Sequence, residues 1–329
     1  MDVKELPLVS IVLLTYNQEK FIGEALDGVA SQDYPNLEII ISDDNSNDNT
    51  RNIIEEFRRN YYGHHKVIYN YNHENLGLVR HFNKVMSIVN GEFVVLAAGD
   101  DVPLQNRTSL SVRKIRKAGV DSLALNFMYI DGVGNDMHKY AFDVSDELEI
   151  FNLSDYINGQ VPKPSGPSRI ITKKLFDFFG PFRDDCPTED STLTFRSLLM
   201  GGIAHYGGVG VKYRWHGKNI SVPDNLYRKI DSTKIYDQYY KDLRLAKDRK
   251  IIDATEFKLI KKIIVDYKIT QSLIRKLYIE RNRYKRHILG LLYVLNPRVL
   301  NTHKQSNFLR HLCEDLFIFY DKIRRVVGK

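Results

Sequence analysis

Two adjacent carboxylates, Asp100 and Asp101, follow the apolar run Phe93–Ala98 after a single glycine, Gly99. Buried parallel strands read as continuous apolar runs, and ligands of open α/β sheets collect at the carboxyl ends of such strands. Paired acids at that place concentrate negative charge where a hard cation such as Mg²⁺ or Mn²⁺ binds. Such an ion takes oxygen ligands and needs only one or two carboxylates, with phosphates and water completing its shell. The alternative for the same residues is a helix cap, with Asp101 at the start of a helix opening near Pro103. A second acid pair, Asp43 and Asp44, closes the apolar run at residues 37–42. A carboxylate there can accept from a nucleobase N–H or a ribose hydroxyl, although Asp-Asp-Asn-Ser is also ordinary turn chemistry.

Elements of a definite kind must carry these acids. Residues 9–14 read as a short apolar strand followed by the turn Thr15, Tyr16, Asn17. Residues 19–31 have helical spacing, with Phe21, Ile22, Ala25, Leu26 and Val29 on one side. A strand over 37–42, a helix over 50–60, a strand over 66–71 and a helix over 78–89 lead to the strand that ends at the Asp100/Asp101 pair. This β-α-β-α-β-α-β alternation predicts a parallel sheet with helices on both faces and right-handed crossovers. The three polar clusters then open on one edge of the sheet. Beyond Asp101, residues 123–130 read as a strand and 131–135 as a turn. Residues 136–168 have no clear pattern, 173–179 and 188–200 read as helices, 201–210 as loop, and 211–215 as a short strand before His216. From Leu226 onward long helices dominate, with a break at Asn296 and Pro297.

The 329 residues, 43% hydrophobic, suit one large domain with an extension. The amino terminus, with no basic n-region and a short apolar run, does not read as a signal peptide, and no run approaches the ~18–20 apolar residues that span a bilayer. A cytoplasmic protein is expected. Cys186 and Cys313 lie far apart in sequence and suggest neither a disulfide framework nor a zinc site, and packing is the expected role of each. The net charge of +7 is unevenly spread: residues 224–329 hold 25 Lys and Arg against 12 Asp and Glu, whereas residues 1–223 hold 23 against 29. The division predicted is a catalytic domain over 1–223, with a nucleotide-binding half at about 7–101 and an acceptor half at about 102–223, and a helical basic region over 224–329.

The first strand–helix turn contains no glycine of the dinucleotide fingerprint, and no phosphate loop occurs elsewhere. Phosphates must be held by another device, and a cation on Asp100 and Asp101 is one. At this point the chain resembles a family 2 glycosyltransferase of the GT-A fold. The family's opening strand with Thr/Ser-Tyr-Asn matches residues 9–17. Its Asp-Asp-Gly-Ser-x-Asp-x-Thr pattern matches residues 43–50, with Asn45 in place of the usual glycine. Its Asn-x-Gly turn falls on Asn75–Gly77, its metal motif on Gly99, Asp100 and Asp101, and its helix-opening Glu-Asp on Glu189 and Asp190. An Arg-x-His near the end of the domain falls on Arg214, Trp215 and His216. One departure is plain: where many members have Ala-Arg-Asn, this chain has Phe82 and Asn83, and the nearest arginine is Arg80.

The resemblance implies an inverting, metal-dependent sugar transfer from a nucleoside-diphosphate sugar, a UDP-sugar being favoured, to a glycan or lipid-linked glycan in bacterial cell-surface polysaccharide synthesis. It assigns Thr15, Tyr16, Asn17, Asp43, Asp44 and Asp100 to the nucleotide, Asp101 and His216 to the metal, and Asp190 to the general base. Read without the family, Thr188 and Asp190 are helix caps, His216 is a structural histidine, and Trp215 either stacks on a sugar or packs in the core. A nucleotidyltransferase is the competing enzyme, but it would carry a Gly-rich basic loop after the first strand. A non-catalytic partner subunit that binds sugar nucleotides is the competing non-enzyme, and both Asp101 and Asp190 are retained against it. The basic region, residues 284–295 above all, suits peripheral contact with an anionic membrane or, equally, a helical subdomain with a solvated face. No nucleic-acid motif accompanies the charge.

Overall fold

The computed structural model describes residues 6–160, 166–217, 219, 230–280, 282, 285, 288, 289 and 292. Three apolar runs become the central parallel strands β1 (Val9–Thr15), β2 (Leu37–Asp43) and β4 (Phe93–Ala98), nearly every residue of which is buried. β3 (Lys66–Tyr71) lies at the end of the sheet, which accounts for its more polar, half-exposed composition. Between them run α1 (Ile22–Ala30), α2 (Thr50–Asn60) and α3 (Leu78–Met86). After β4 come the two-residue β5 (Val102–Pro103), α4 (Arg107–Ala118), β6 (Ser122–Ile130), β7 (Asp136–Tyr140), β8 (Leu148–Phe151) and α5 (Leu153–Ile157). Then follow β9 (Arg169–Thr172), α6 (Lys173–Phe179), α7 (Asp190–Leu199) and β10 (Ile203–Arg214).

Among the described residues these strands form one sheet in the order β3-β2-β1-β4-β9-β6-β10-β5, with β7 on β6 and β8 on β10. The first four are parallel, as the alternation predicts. β9 is antiparallel to both β4 and β6, and β10 is parallel to β6. β6 and β10 therefore point the same way as β1, β2 and β4. The carboxyl ends of all five open on one edge, which gathers Thr15, Asp44, Asp101 and His216 from distant parts of the chain. One face of the sheet packs Ile11, Leu13, Ile39, Ile41, Val95 and Leu125 against Ile22, Leu26 and Val29 of α1 and Leu110 and Ile115 of α4. Each such aliphatic side chain contributes ~1.5–3 kcal/mol by leaving water. Phe82 of α3, Phe176 of α6 and Phe182 form a second aromatic cluster.

Several expectations are corrected. The helix after Asp101 does not open near Pro103. Val102 and Pro103 pair with Lys212 and Val211 of β10, and α4 begins only at Arg107, so Asp101 caps nothing. Residues 201–210 are not a loop, because most of them belong to the twelve-residue β10. Its glycines look like loop composition but answer to close packing and to two register shifts against β6. A Cβ on Gly210 would run into Leu125, and one on Gly207 into Ser145. The patternless stretch 136–168 holds β7, β8 and α5. α1 starts three residues later than its periodicity suggests, because Glu19 serves the neighbouring loop.

The chain divides into two compact units, residues 1–216 with 242–252, and residues 217–241 with 253–329. In the second unit α9 (Ala254–Ile279) is fixed at its start by a capping box. Asp253 accepts from the amides of Thr255 and Glu256, and Glu256 accepts in return from the amide of Asp253. Within the same unit Lys268 pairs with Asp237, and Tyr267 stacks on Tyr236. α8 (Thr233–Asp248) carries the chain from the second unit back into the first. No described helix is long and apolar enough to cross a membrane. Most of residues 284–295, the break at 296–297 and Cys313 lie outside the described residues. Cys186 is buried and free, with its Sγ 3.4 Å from the Thr188 carbonyl.

Candidate active site

The loops after β1 and β2 are stitched together by their own side chains. The amide of Asn17 donates to Ser46 Oγ at 2.8 Å, and Asn17 Oδ1 accepts from the amide of Asn47 at 2.9 Å. Thr50 Oγ1 accepts from the amide of Gln18, Asp48 from that of Glu19, and Glu19 from that of Asn49. Asp43 is buried and holds Ser46, accepting from its hydroxyl at 2.5 Å and its amide at 3.1 Å. Asn17 and Asn45 both adopt left-handed backbone, at φ 53° and 61°. Asparagine is the residue that best replaces glycine there. Thr15 is buried, whereas Tyr16 beside it leaves 43% of its surface open. Gly99 packs on this loop so closely that a Cβ would lie 2.7 Å from Thr15 Oγ1.

Asp44 is buried, and its carboxylate pins the Asn75–Gly77 turn. Oδ1 accepts from Asn72 Nδ2 at 2.7 Å and the amide of Leu76 at 2.9 Å, and Oδ2 accepts from the amide of Gly77 at 2.9 Å. An ionised carboxylate offers about four acceptor positions, so three are taken and one is left for a ligand. Beneath it His81 Nε2 lies 2.6 Å from Ser42 Oγ, and burial pushes the imidazole down to about 4, keeping it neutral.

Asp101 is buried at 2% exposure. Its Oδ1 accepts from the backbone amide of Arg214 at 2.8 Å, while its Oδ2 is enclosed with no hydrogen-bond partner. Burial, and then the adjacent charge of Asp100, push the Asp101 carboxyl well above the usual carboxylate range. Asp100 Oδ2 lies 3.1 Å from His216 Nε2, and its carbonyl accepts from Arg214 Nε at 3.0 Å. His216 stacks on Phe21 at 4.9 Å between ring centroids, and the Arg214 guanidinium sits over the same ring and reaches Glu24 at 2.9 Å. A buried carboxylate oxygen without a donor, beside a second carboxylate, fits a divalent cation, which would remove the cost of confining that charge. Among the described residues no group of three or more His, Cys, Asp and Glu is arranged to hold a metal. An ion at Asp100 and Asp101 would take its remaining ligands from phosphate, water and, within reach of Asp100, His216.

Asp190 opens α7, and its Oδ1 accepts from the amide of Ser191 at 2.5 Å. Gly166 lies against the Glu-Asp pair: a Cβ there would be 2.9 Å from Glu189 Oε1 and 3.7 Å from Asp190 Cβ. Burial, and then the charge of Asp190, push the Glu189 carboxyl up to about 7. Thr188 Oγ1 is buried without a partner and caps no helix.

The sequence pattern pointed at His216 but not at its support. Arg214 and Phe21 hold it and Asp100 in place, and only the Arg-x-His spacing hinted at the former. Fully buried Arg107 supplies positive charge near Asp101. The departure at Phe82 and Asn83 has a structural reason. Phe82 is core, and Asn83 exchanges two hydrogen bonds with the backbone of Phe182. Arg80 is exposed and pairs with Glu74 at 3.7 Å.

A parallel nucleotide-type half-sheet joined through one antiparallel strand to a second half, with carboxylates at the shared edge, defines a GT-A fold. Residues 10–179, just over half of the chain, match the model of glycosyl transferase family 2, and the chain belongs to that family. It is a glycosyltransferase. An uncharacterized glycosyltransferase of Haemophilus influenzae is 25% identical over 312 residues, which cover 88% of this chain and 90% of that protein. In fold the chain is similar to residues 1–349 of S. aureus TarS in complex with UDP. There the TM-score is 0.62 at 18% identity, over 98% of this chain and 92% of that one. It is also similar to the mannosyltransferase PcManGT of Pyrobaculum calidifontis in complex with GDP-Man and Mn²⁺, with a TM-score of 0.51 at 15% identity over 96% and 88% of the two chains.

Proposed function

We propose that this glycosyltransferase takes a sugar from a nucleoside-diphosphate donor, a UDP-sugar first, and passes it with inversion to a hydroxyl of a glycan or lipid-linked glycan. The product would belong to a bacterial cell-surface polysaccharide, built at the cytoplasmic face of the membrane. The observation that carries the reading is the enclosed, unpartnered Oδ2 of Asp101 beside Asp100, on the sheet edge that also holds Asp44 and His216. The UDP bound by TarS and the GDP-Man and Mn²⁺ bound by PcManGT support it.

The residues divide the work. Asp44 offers its remaining acceptor position to a base N–H, with Thr15, Tyr16 and Asn17 forming the adjoining wall. Asp100 and Asp101 would hold Mn²⁺ or Mg²⁺, and His216 stands beside Asp100 as a further ligand or a diphosphate contact. When bound, the cation neutralises the charge that develops on the leaving diphosphate. Arg214 and Phe21 keep His216 and Asp100 in register. Asp190 accepts the proton of the attacking acceptor hydroxyl, a role typically worth about 10²–10⁴-fold.

Calorimetric titration of a panel of nucleotide sugars, with and without Mn²⁺, tests this. One nucleotide sugar is expected to bind in a metal-dependent way, and Asp101→Asn to abolish that dependence. Binding indifferent to both metal and substitution would sink the metal assignment. Asp190→Asn is expected to keep donor binding and lose transfer by about 10²-fold or more; near wild-type transfer would remove Asp190 as the base.

A further inference from the structure

Side chains alternate along a strand, and at the carboxyl end of β10 the two sides are occupied differently. Arg214 turns toward Asp100, Glu24 and Phe21. Tyr213, paired in register with Tyr129 of β6, and Trp215 beyond it turn the other way into a cluster of rings. Phe127 and Tyr213 lie 4.9 Å apart between centroids, Tyr129 and Tyr213 5.5 Å, and Tyr129 and Trp215 6.4 Å. Phe127 is buried and closes the cluster from below. Trp215, the single tryptophan of the chain, leaves 38% of its surface open. Its backbone is held by a 2.8 Å hydrogen bond from its amide to the carbonyl of Ile130. The indole and the Tyr129 phenol meet at 66°, so they form two walls of a corner. Lys139 of β7, itself exposed, places its ammonium 4.6 Å from the Tyr129 centroid.

From this corner we infer a binding site for one pyranose ring of the acceptor glycan, with Trp215 as the stacking face, Tyr129 as the side wall and Lys139 as a hydrogen-bond donor to the sugar's rim. A pyranose has an apolar face of C–H bonds, slightly positive, and a rim of hydroxyls. An aromatic ring presents a negative face to the first, and a nearby N–H serves the second. Tryptophan and tyrosine lose little conformational freedom on binding, and the hydrogen bond to Ile130 fixes the Trp215 backbone in advance. Continuity with the reaction centre selects acceptor over donor. Trp215 is one residue from His216 and from Arg214, which hold Asp100 and Asp101, so its Cα is about 3.8 Å from that of each. Its ring nevertheless turns away from the side on which Arg214 serves the acid pair. The corner thus lies beside the carboxylates and outside the nucleotide half of the sheet.

The identity of the occupant rests on the transferase reading above, so the test separates the two. The full chain is applied to a printed array of bacterial surface oligosaccharides, and each glycan it retains is then titrated in solution while Trp215 emission is followed. Because no other tryptophan contributes, a change in emission reports this corner alone. At least one oligosaccharide is expected to shift or quench the emission. Trp215→Ala is expected to weaken that glycan about tenfold or more by calorimetry, and Trp215→Phe, which keeps a flat ring, to bind within about threefold of wild type. UDP binding should be the same in all three proteins. Retention of no printed glycan, an unchanged emission, or equal affinity in Trp215→Ala would overturn the site. Failure to bind any nucleotide sugar, with glycan binding intact, would instead overturn the donor assignment and leave the corner standing.

Discussion

Asp44 and Asp101 are two buried carboxylates with opposite surroundings, and the difference shows what each can do. Asp44 is met by two backbone amides and an asparagine, which shape the Asn75–Gly77 turn before any ligand arrives. Asp101 is met by one amide, the like charge of Asp100 and the opposing charges of Arg107 and Arg214, and its Oδ2 is left without a donor. Glu189 is a third case, confined beside Asp190 with Oε2 unpartnered. Its pKa is raised to about 7 in the folded chain from an ordinary value of 4.5, so the folded state holds the proton over a range where the unfolded state has released it. That contribution to stability is complete below about pH 4.5 and is lost as pH rises through 7. Glu189→Gln should therefore raise the melting temperature at pH 8 by a few degrees and leave it nearly unchanged at pH 5. A thermal melt at the two pH values checks this, and an equal effect at both would show that the carboxylate is not held under strain.

At the scale of elements, much of the Asp-Asp-x-Ser-x-Asp-x-Thr stretch is a fastener. Ser46, Asp48 and Thr50 each accept a backbone amide of the loop that carries Tyr16, so the two loops form one rigid rim. Thr50 is fully buried at the first turn of α2, and Thr50→Val keeps its shape while removing the acceptor for Gln18. The orphaned amide should cost about 1–3 kcal/mol. Hydrogen exchange at Gln18 is expected to accelerate by about tenfold or more, with amides of β1 unaffected; unchanged protection at Gln18 would mean the rim is held by something else.

For the molecule as a whole, the first unit is not finished when β10 ends. Asp242 of α8 accepts from Arg196 of α7 at 2.9 and 3.2 Å, both side chains are fully buried, and Arg196 also donates to the carbonyl of Gly180 at 2.8 Å. The helix that presents Asp190 is thus anchored by a segment from beyond residue 241. Removing one partner of a buried pair leaves a stranded charge, at a cost of about 3–5 kcal/mol, whereas replacing both by apolar groups is often nearly neutral. Asp242→Ala should lose that much in denaturant unfolding, and the double change Asp242→Leu with Arg196→Met should recover most of it. Equal losses in the single and double variants would show that the ion pair itself, not the stranded arginine, sets the effect.

By itself the sequence determined the parallel half of the sheet and the places of its acids, because buried strands and their terminal carboxylates are written in local composition. It also marked Asn45, which takes the left-handed backbone that the usual glycine would supply. It did not disclose β9 or the full length of β10. The first is four residues long, and the second is disguised by glycines that long-range packing requires. Only the tertiary structure decided that β6 and β10 share the direction of β1, β2 and β4, since that depends on β9 lying antiparallel between the halves. The same pairing brings Arg214 and His216 to acids more than a hundred residues earlier, and turns Trp215 outward beside them. Such contacts are set by register and strand direction, which no local window of the chain contains.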